Sequence, residues 1–153
     1  MPSVVAISTE SVTYDSHNHP QTSGDSGSGW IIDKTGNIVT NNHVVEGATS
    51  ITVELFDHQA YSAKIVSTDP ITDVAVLKID TGRGLQPLII ADTSKLRVGH
   101  WVIILGNPLG LGISAKQGII SRLGVNMSSS PDQMYYDLIE TSAAVNPGNS
   151  GGQ

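Results

Sequence analysis

The stretch "GWIIDKTGNIVTNNHVVEG", residues 29–47, places two short apolar runs on either side of "DKTGN" (33–37). Runs of β-branched residues bounded by Gly, Asn and Asp read as strands, and a turn-rich pentapeptide between two of them reads as a β-hairpin. His43 follows the second run directly, where "HVVEG" breaks the extended chain into a short turn. The same punctuation recurs in both directions. Besides Gly29–Asp33 and Ile38–Asn41, strands are predicted at Val4–Ser8, Ile51–Leu55, Ala60–Thr68, Val74–Ile79, Trp101–Leu105, Ser114–Leu123 and Tyr135–Thr141. No helical pattern runs for ten residues and no internal repeat is present. The predicted fold class is therefore all-β, a barrel or sandwich of short strands.

Between the strands lie polar segments. Residues 9–28, "TESVTYDSHNHPQTSGDSGS", are rich in Gly, Ser and Thr and predict a surface loop, and "NMSSSPDQM" (126–134) has the same character. The stretch 81–100 reads as a connection between two β units.

At 153 residues, 39% hydrophobic and 14% charged, the chain suits a folded domain with a real core rather than a disordered segment. A formal charge of −6 without a Lys/Arg cluster argues against nucleic acid or an anionic membrane as the primary partner. The absence of cysteine excludes a thiol nucleophile, a disulfide framework and thiolate metal sites. No apolar run approaches the roughly 20 residues of a membrane-spanning helix. The start, "MPSVVAISTESVTYD", has no basic region and only a short apolar patch, so no signal peptide is read there.

The chain closes on "AAVNPGNSGGQ", residues 143–153. Pro147-Gly148-Asn149 reads most simply as a turn. The alternative is chemical: glycines would let the backbone N–H groups of Gly148 and Ser150 converge beside the Ser150 hydroxyl, an arrangement able to hold an acyl-transfer oxyanion. That alternative needs a general base and a group to orient it. His17 and His19 form an H-x-H pair without a third ligand and read as surface residues. His58 sits in a hairpin turn and His100 precedes a strand, so both also read as surface residues. His43 differs, because a strand end holds it while leaving its ring free to face a cleft. Imidazoles titrate near neutrality and can accept and return a proton there. Asp73, at the head of "DVAVLKI", either caps a turn or accepts the imidazole N–H and sets its tautomer. The order His43, Asp73, Ser150 is that of the triad in chymotrypsin-type barrels.

Four stretches carry a family resemblance: "GSGWIIDKTGNIVTNNHVVEGA" (27–48), "DPITDVAVLKID" (69–80), "VGHWVIILGNPLGLG" (98–112) and "AAVNPGNSGG" (143–152). From about residue 27 onward the chain resembles the protease domain of the HtrA (Deg) serine proteases. The resemblance implies a chymotrypsin-like double β-barrel with its active site between the barrels. It implies His43 as general base, Asp73 as orienter and Ser150 as nucleophile, with the N–H groups of Gly148 and Ser150 as the oxyanion hole. No metal or organic cofactor is expected. Implied substrates are unfolded or misfolded polypeptides, cut after small aliphatic residues. Members of the family are typically extracytoplasmic, built on homotrimers, and carry PDZ domains after the protease. Residues 110–116, 124–134 and 144–149 fall where members have loops that switch between ordered and disordered states.

The expected organisation is an N-terminal barrel at 1–80 with its polar loop at 9–28, a connection at 81–100, and a partial C-terminal barrel at 101–153, with no PDZ domain present. Ser142 stands where many members have Asp, and Gln153 where a small residue or Pro is usual. A chain ending at Gln153 would lack strands that form the specificity pocket, which predicts weak or absent activity. The alternative expectation is a non-catalytic polypeptide-binding or assembly module built on an incomplete protease barrel.

Overall fold

A computed structural model of the chain describes residues 2–14, 17–107, 111–130 and 133–152. It is an all-β protein, as expected: the described residues form ten strands, one turn of α-helix at Asn42–Val45 (α1) and one turn of 3-10 helix at Thr93–Lys95. The chain forms two compact units, the first Met1–Leu88, Leu105–Ser114 and Asn146–Gln153, the second Ile89–Ile104 and Ala115–Val145.

The first unit contains a seven-stranded antiparallel sheet. Its strands are β1 (Val4–Tyr14), β2 (Pro20–Ile31), β3 (Asn37–Thr40), β4 (Ser50–Glu54), β5 (Ala60–Ser62), β6 (Lys64–Asp69) and β7 (Val74–Lys78). Their spatial order is β5-β4-β1-β2-β3-β7-β6. β5 and β6 stand at opposite edges of this sheet, yet Ala63 alone separates them in sequence. Two peptide steps span at most about 7.6 Å, so the sheet must curl until its edges adjoin. The Ala63 N–H donates to the Ile51 carbonyl (2.9 Å), fixing the corner. The single strand expected over 60–68 is thus two, divided where the chain passes from one edge to the other.

Alternation fills the inside of the curl. Val5 and Ile7 of β1, Ile31 of β2, Ile38 of β3, Val53 of β4 and Leu77 of β7 are essentially inaccessible to solvent. Cross-strand register sets Ile7 opposite Val53, Ile31 opposite Ile38, and Ile38 opposite Leu77, so one apolar layer runs across the sheet. The β2–β3 turn follows the "DKTGN" reading. The Asp33 carboxylate accepts the N–H and hydroxyl of Thr35 (both 2.8 Å), the Asn37 N–H (3.2 Å) and the Asn37 side-chain amide (2.6 Å). These bonds, the Asn37 amide first and Thr35 next, hold its pKa far below the usual carboxylate range.

Most of the loop expected at 9–28 is strand, through Tyr14 and again from Pro20, while Asp15 and Ser16 lie outside the described residues. β1 and β2 pair continuously from Val4 opposite Trp30 to Tyr14 opposite Pro20, forming a long ribbon. The distal half of the ribbon is exposed on both faces. A ladder solvated on both faces needs only its backbone groups, so it selects no apolar alternation that composition could reveal. Thr and Ser serve there instead, as in the Ser11–Ser23 hydroxyl pair across the ribbon (2.8 Å).

The second unit holds most of a three-stranded sheet, order β10-β9-β8, built from β8 (Trp101–Gly106), β9 (Ser114–Ser130) and β10 (Gln133–Thr141). Strand structure therefore extends into the predicted loop 126–134, whose Pro131 and Asp132 lie outside the described residues, as does Gly110 of the 110–116 segment. β9 and β10 are joined by a broken register, with Asp137 at φ 55°. Ile120 and Ala143 are buried in this unit, whereas Trp101, Ile103 and Tyr136 are largely exposed.

Candidate active site

β3 and β7 are antiparallel neighbours with Thr40 opposite Ala75. The end of β3 therefore lies beside the start of β7. The residues just after Thr40 meet those just before Val74, although thirty positions separate His43 from Asp73 in the chain. His43 stands on the single turn α1, which Val44 and Val45 anchor by burial.

Asp73 is gripped from every side. Its carbonyl accepts the Asn42 N–H (3.1 Å) and the Asn41 side-chain amide (2.8 Å). Its two carboxylate oxygens divide between one residue: Oδ1 accepts the His43 backbone N–H (2.9 Å) and Oδ2 pairs with His43 Nδ1 (2.7 Å). The residue sits at φ 56°, a left-handed conformation that non-glycine residues hold only when their surroundings impose it. A carboxylate only accepts, so Nδ1 carries the ring proton and Nε2 presents a lone pair. The Asp73 side chain is 14% exposed and that of His43 54%, so the orienting group is shielded while the ring stays open to an incoming chain.

Ser150 lies on a tight turn in the same unit. Asn149 N–H donates to the Asn146 carbonyl (3.0 Å), and Gly152 N–H to the Asn149 carbonyl (2.8 Å). Gly148 is at φ 92° and Gly151 at φ 77°, both in the region that favours glycine. Close approach also demands glycine at 151, where an added Cβ would stand 2.2 Å from the Ser28 carbonyl, 2.4 Å from the Thr40 hydroxyl and 3.1 Å from the Asn41 nitrogen. Those neighbours tie the turn to the strand ends that carry His43. Among the described residues, neither the Gly148 N–H nor the Ser150 N–H donates a hydrogen bond, and none joins the Ser150 hydroxyl to His43. Such a bond is often long in a free enzyme and tightens when substrate is held.

The structure thus brings His43 and Asp73 into contact and sets Ser150 beside the same strand ends. Two residues that spacing did not single out help to build the place. Asn41 holds the Asp73 carbonyl, and Ser28, buried on β2, contacts the Ser150 turn directly. The remaining histidines are exposed: His17 and His19 stack near the far end of the β1–β2 ribbon, His58 pairs with Glu54 (2.9 Å), and His100 precedes β8.

The arrangement can perform nucleophilic acyl transfer. An imidazole of fixed tautomer faces outward, and a hydroxyl stands on a turn with unused N–H donors. Comparison with known proteins points the same way. The trypsin-like peptidase domain family matches residues 27–153. Over 126 residues, 82% of this chain, the sequence is 47% identical to a probable periplasmic serine endoprotease, DegP-like, of Pseudomonas putida strain F1, and 48% identical to one of Bartonella henselae. The matched region spans about a quarter of the length of those relatives, 26% and 24%. Among solved structures, the HtrA-type protease AlgW with tripeptide superposes at a TM-score of 0.85 with 37% identity, covering 99% of this chain and 46% of that one. AlgW with decapeptide gives 0.83 with 34% identity, covering 99% and 51%.

Proposed function

The chain belongs to the trypsin-like peptidase family, in its HtrA/Deg branch, and from that premise we propose that it carries a serine endopeptidase site in which Ser150 attacks, His43 serves as general base and Asp73 orients it. The Ser150 oxygen adds to the scissile carbonyl of a peptide while His43 Nε2 takes its proton. The N–H groups of Gly148 and Ser150 receive the resulting oxyanion. His43 then returns the proton to the departing amine, leaving an acyl ester on Ser150 that water cleaves by the same path. Asp73 keeps its charge throughout and stabilises the imidazolium through Nδ1–H. The observation that carries this reading is the double grip of Asp73 on His43, which leaves Nε2 as the free acceptor.

Unfolded or misfolded polypeptides are the proposed substrates, with cleavage after small aliphatic residues, in an extracytoplasmic compartment and as a homotrimer. Support for the compartment is that the relatives are named periplasmic. Among the described residues, no helix is long and apolar enough to cross a membrane.

A second reading, a non-catalytic module that holds polypeptide segments, draws on the exposed Trp101, Ile103 and Tyr136 of the second unit. Intact-mass spectrometry after a fluorophosphonate probe separates the two. A single adduct on Ser150 that disappears in His43→Ala is the expected result. An unlabelled chain that still binds reduced, denatured casein, with equal affinity in Ser150→Ala, would replace the endopeptidase with the binding module.

A further inference from the structure

Ser28 has no exposed surface, and all of its polar groups are engaged. Its N–H donates to the Ser150 carbonyl (2.8 Å). Its hydroxyl donates to the Gly148 carbonyl (2.7 Å) and accepts the Asn107 N–H (2.7 Å). Its own carbonyl accepts the Thr40 hydroxyl (2.7 Å). The surroundings leave room for this and little else: a Cβ on Gly106 would come within 3.0 Å of the Ser28 hydroxyl.

The consequence lies in peptide geometry. In a planar trans peptide the N–H points opposite to the C=O, so pinning one aims the other. Three successive peptides around Ser150 are pinned. The 148–149 peptide is held at both ends, its carbonyl by the Ser28 hydroxyl and its N–H by the Asn146 carbonyl. In the 149–150 peptide the carbonyl is tied to Gly152, which turns the Ser150 N–H the other way. The 150–151 carbonyl is held by the Ser28 N–H. Ser28 thus fixes the first and third of these planes, and the first is flanked on both sides by the peptides whose N–H groups belong to Gly148 and Ser150.

We propose that Ser28 is a positioning residue for oxyanion binding: its buried hydroxyl sets the 148–149 peptide plane and so directs the Gly148 and Ser150 N–H groups at a common point. This rests on the reading of Ser150 as the nucleophile. Ser28 touches neither substrate nor reacting atoms. It acts through the turn, and the remaining Ser28 N–H bond keeps that turn docked when the hydroxyl is removed.

The test is the time course of Ser150 phosphonylation by a fluorophosphonate, followed by intact mass in the unsubstituted chain, Ser28→Ala and Ser28→Cys. Phosphonylation places developing negative charge where the oxyanion would lie, so its rate constant per site reports N–H alignment. Its final extent reports how many chains hold a folded site. Ser28→Ala is expected to lower the rate constant about 10- to 100-fold, less than the roughly 10²–10³ lost with a donor itself, while labelling still goes to completion. Ser28→Cys, which keeps a weaker donor on a larger atom, is expected to fall between. An unchanged rate constant in Ser28→Ala, with full or reduced extent, overturns the proposal. Should Ser28→Ala fail to fold, Ser28→Cys decides alone, slowed labelling supporting the role and native labelling overturning it. An unsubstituted chain that never labels at Ser150 removes the endopeptidase reading and this proposal with it, whereas normal labelling unaffected at position 28 removes only the proposal.

Discussion

Asp73 stores its conformation in its partners. At φ 56° the residue would relax if released, and it is kept in place by Asn41, Asn42 and the two bonds to His43. In Asp73→Asn the side chain keeps its shape and loses the charge that selects the Nδ1–H tautomer. On the scale known for such a change, kcat should fall by about 10⁴-fold, with the thermal unfolding transition preserved. Steady-state hydrolysis of denatured casein checks this, and a loss below tenfold would mean that Asp73 only caps a turn. Gly151 poses a different residue-level question. Gly151→Ala combines a left-handed φ with a Cβ driven into the Ser28 carbonyl, a backbone atom that cannot swing aside as a side-chain end would. Urea unfolding should show a loss of at least the roughly 1–3 kcal/mol of a non-glycine residue held in that region; a stability equal to the parent would contradict the packing. His43 and Asp73 were legible because a titratable group at a strand end stands out from its neighbours. Ser28 and Asn41 were not, since their work is to bond backbone atoms brought near by folding, and no spacing in the chain encodes that.

At the scale of elements, the β2–β3 hairpin is held by a single carboxylate. The folded-state pKa of Asp33 is depressed, through the Asn37 amide first and Thr35 next, relative to about 3.9 in an unfolded chain. Its contribution is therefore fully present above the unfolded value and is lost as pH falls below about 4 toward the folded one. Asp33→Asn should flatten the decline in urea midpoint over that acid window and lower the midpoint at pH 7. An unaltered acid slope would show that the turn is held by its backbone alone. This hairpin was legible because its turn residues and apolar flanks agree. The β1–β2 ribbon was not, because strands wet on both faces carry the composition of loops, and only pairing partners distinguish the two. The break at Ala63 escaped for a related reason: both halves of 60–68 are extended, and alternation does not report which neighbour a strand takes.

Across the whole molecule, apolar alternation was enough to name an all-β architecture, while the strand order depended on contacts far apart in sequence. That order has a practical result. The sheet's two borders meet at one residue, Ala63, so a chain opened there falls into a piece with β1 to β5 and a piece beginning with β6 and β7. The strand pairings within each piece survive, and between the pieces the β3–β7 ladder must form anew, together with the bonds of Asn41, Asn42 and His43 to Asp73 and of Ser28 to the Ser150 turn. His43 travels with the first piece, Asp73 and Ser150 with the second. Fragments 1–62 and 63–153, each inert alone, should therefore recover fluorophosphonate labelling when mixed. The seam would make the protein a natural split reporter, in which the reassembly of two polypeptides is read out as the restoration of a single reactive serine.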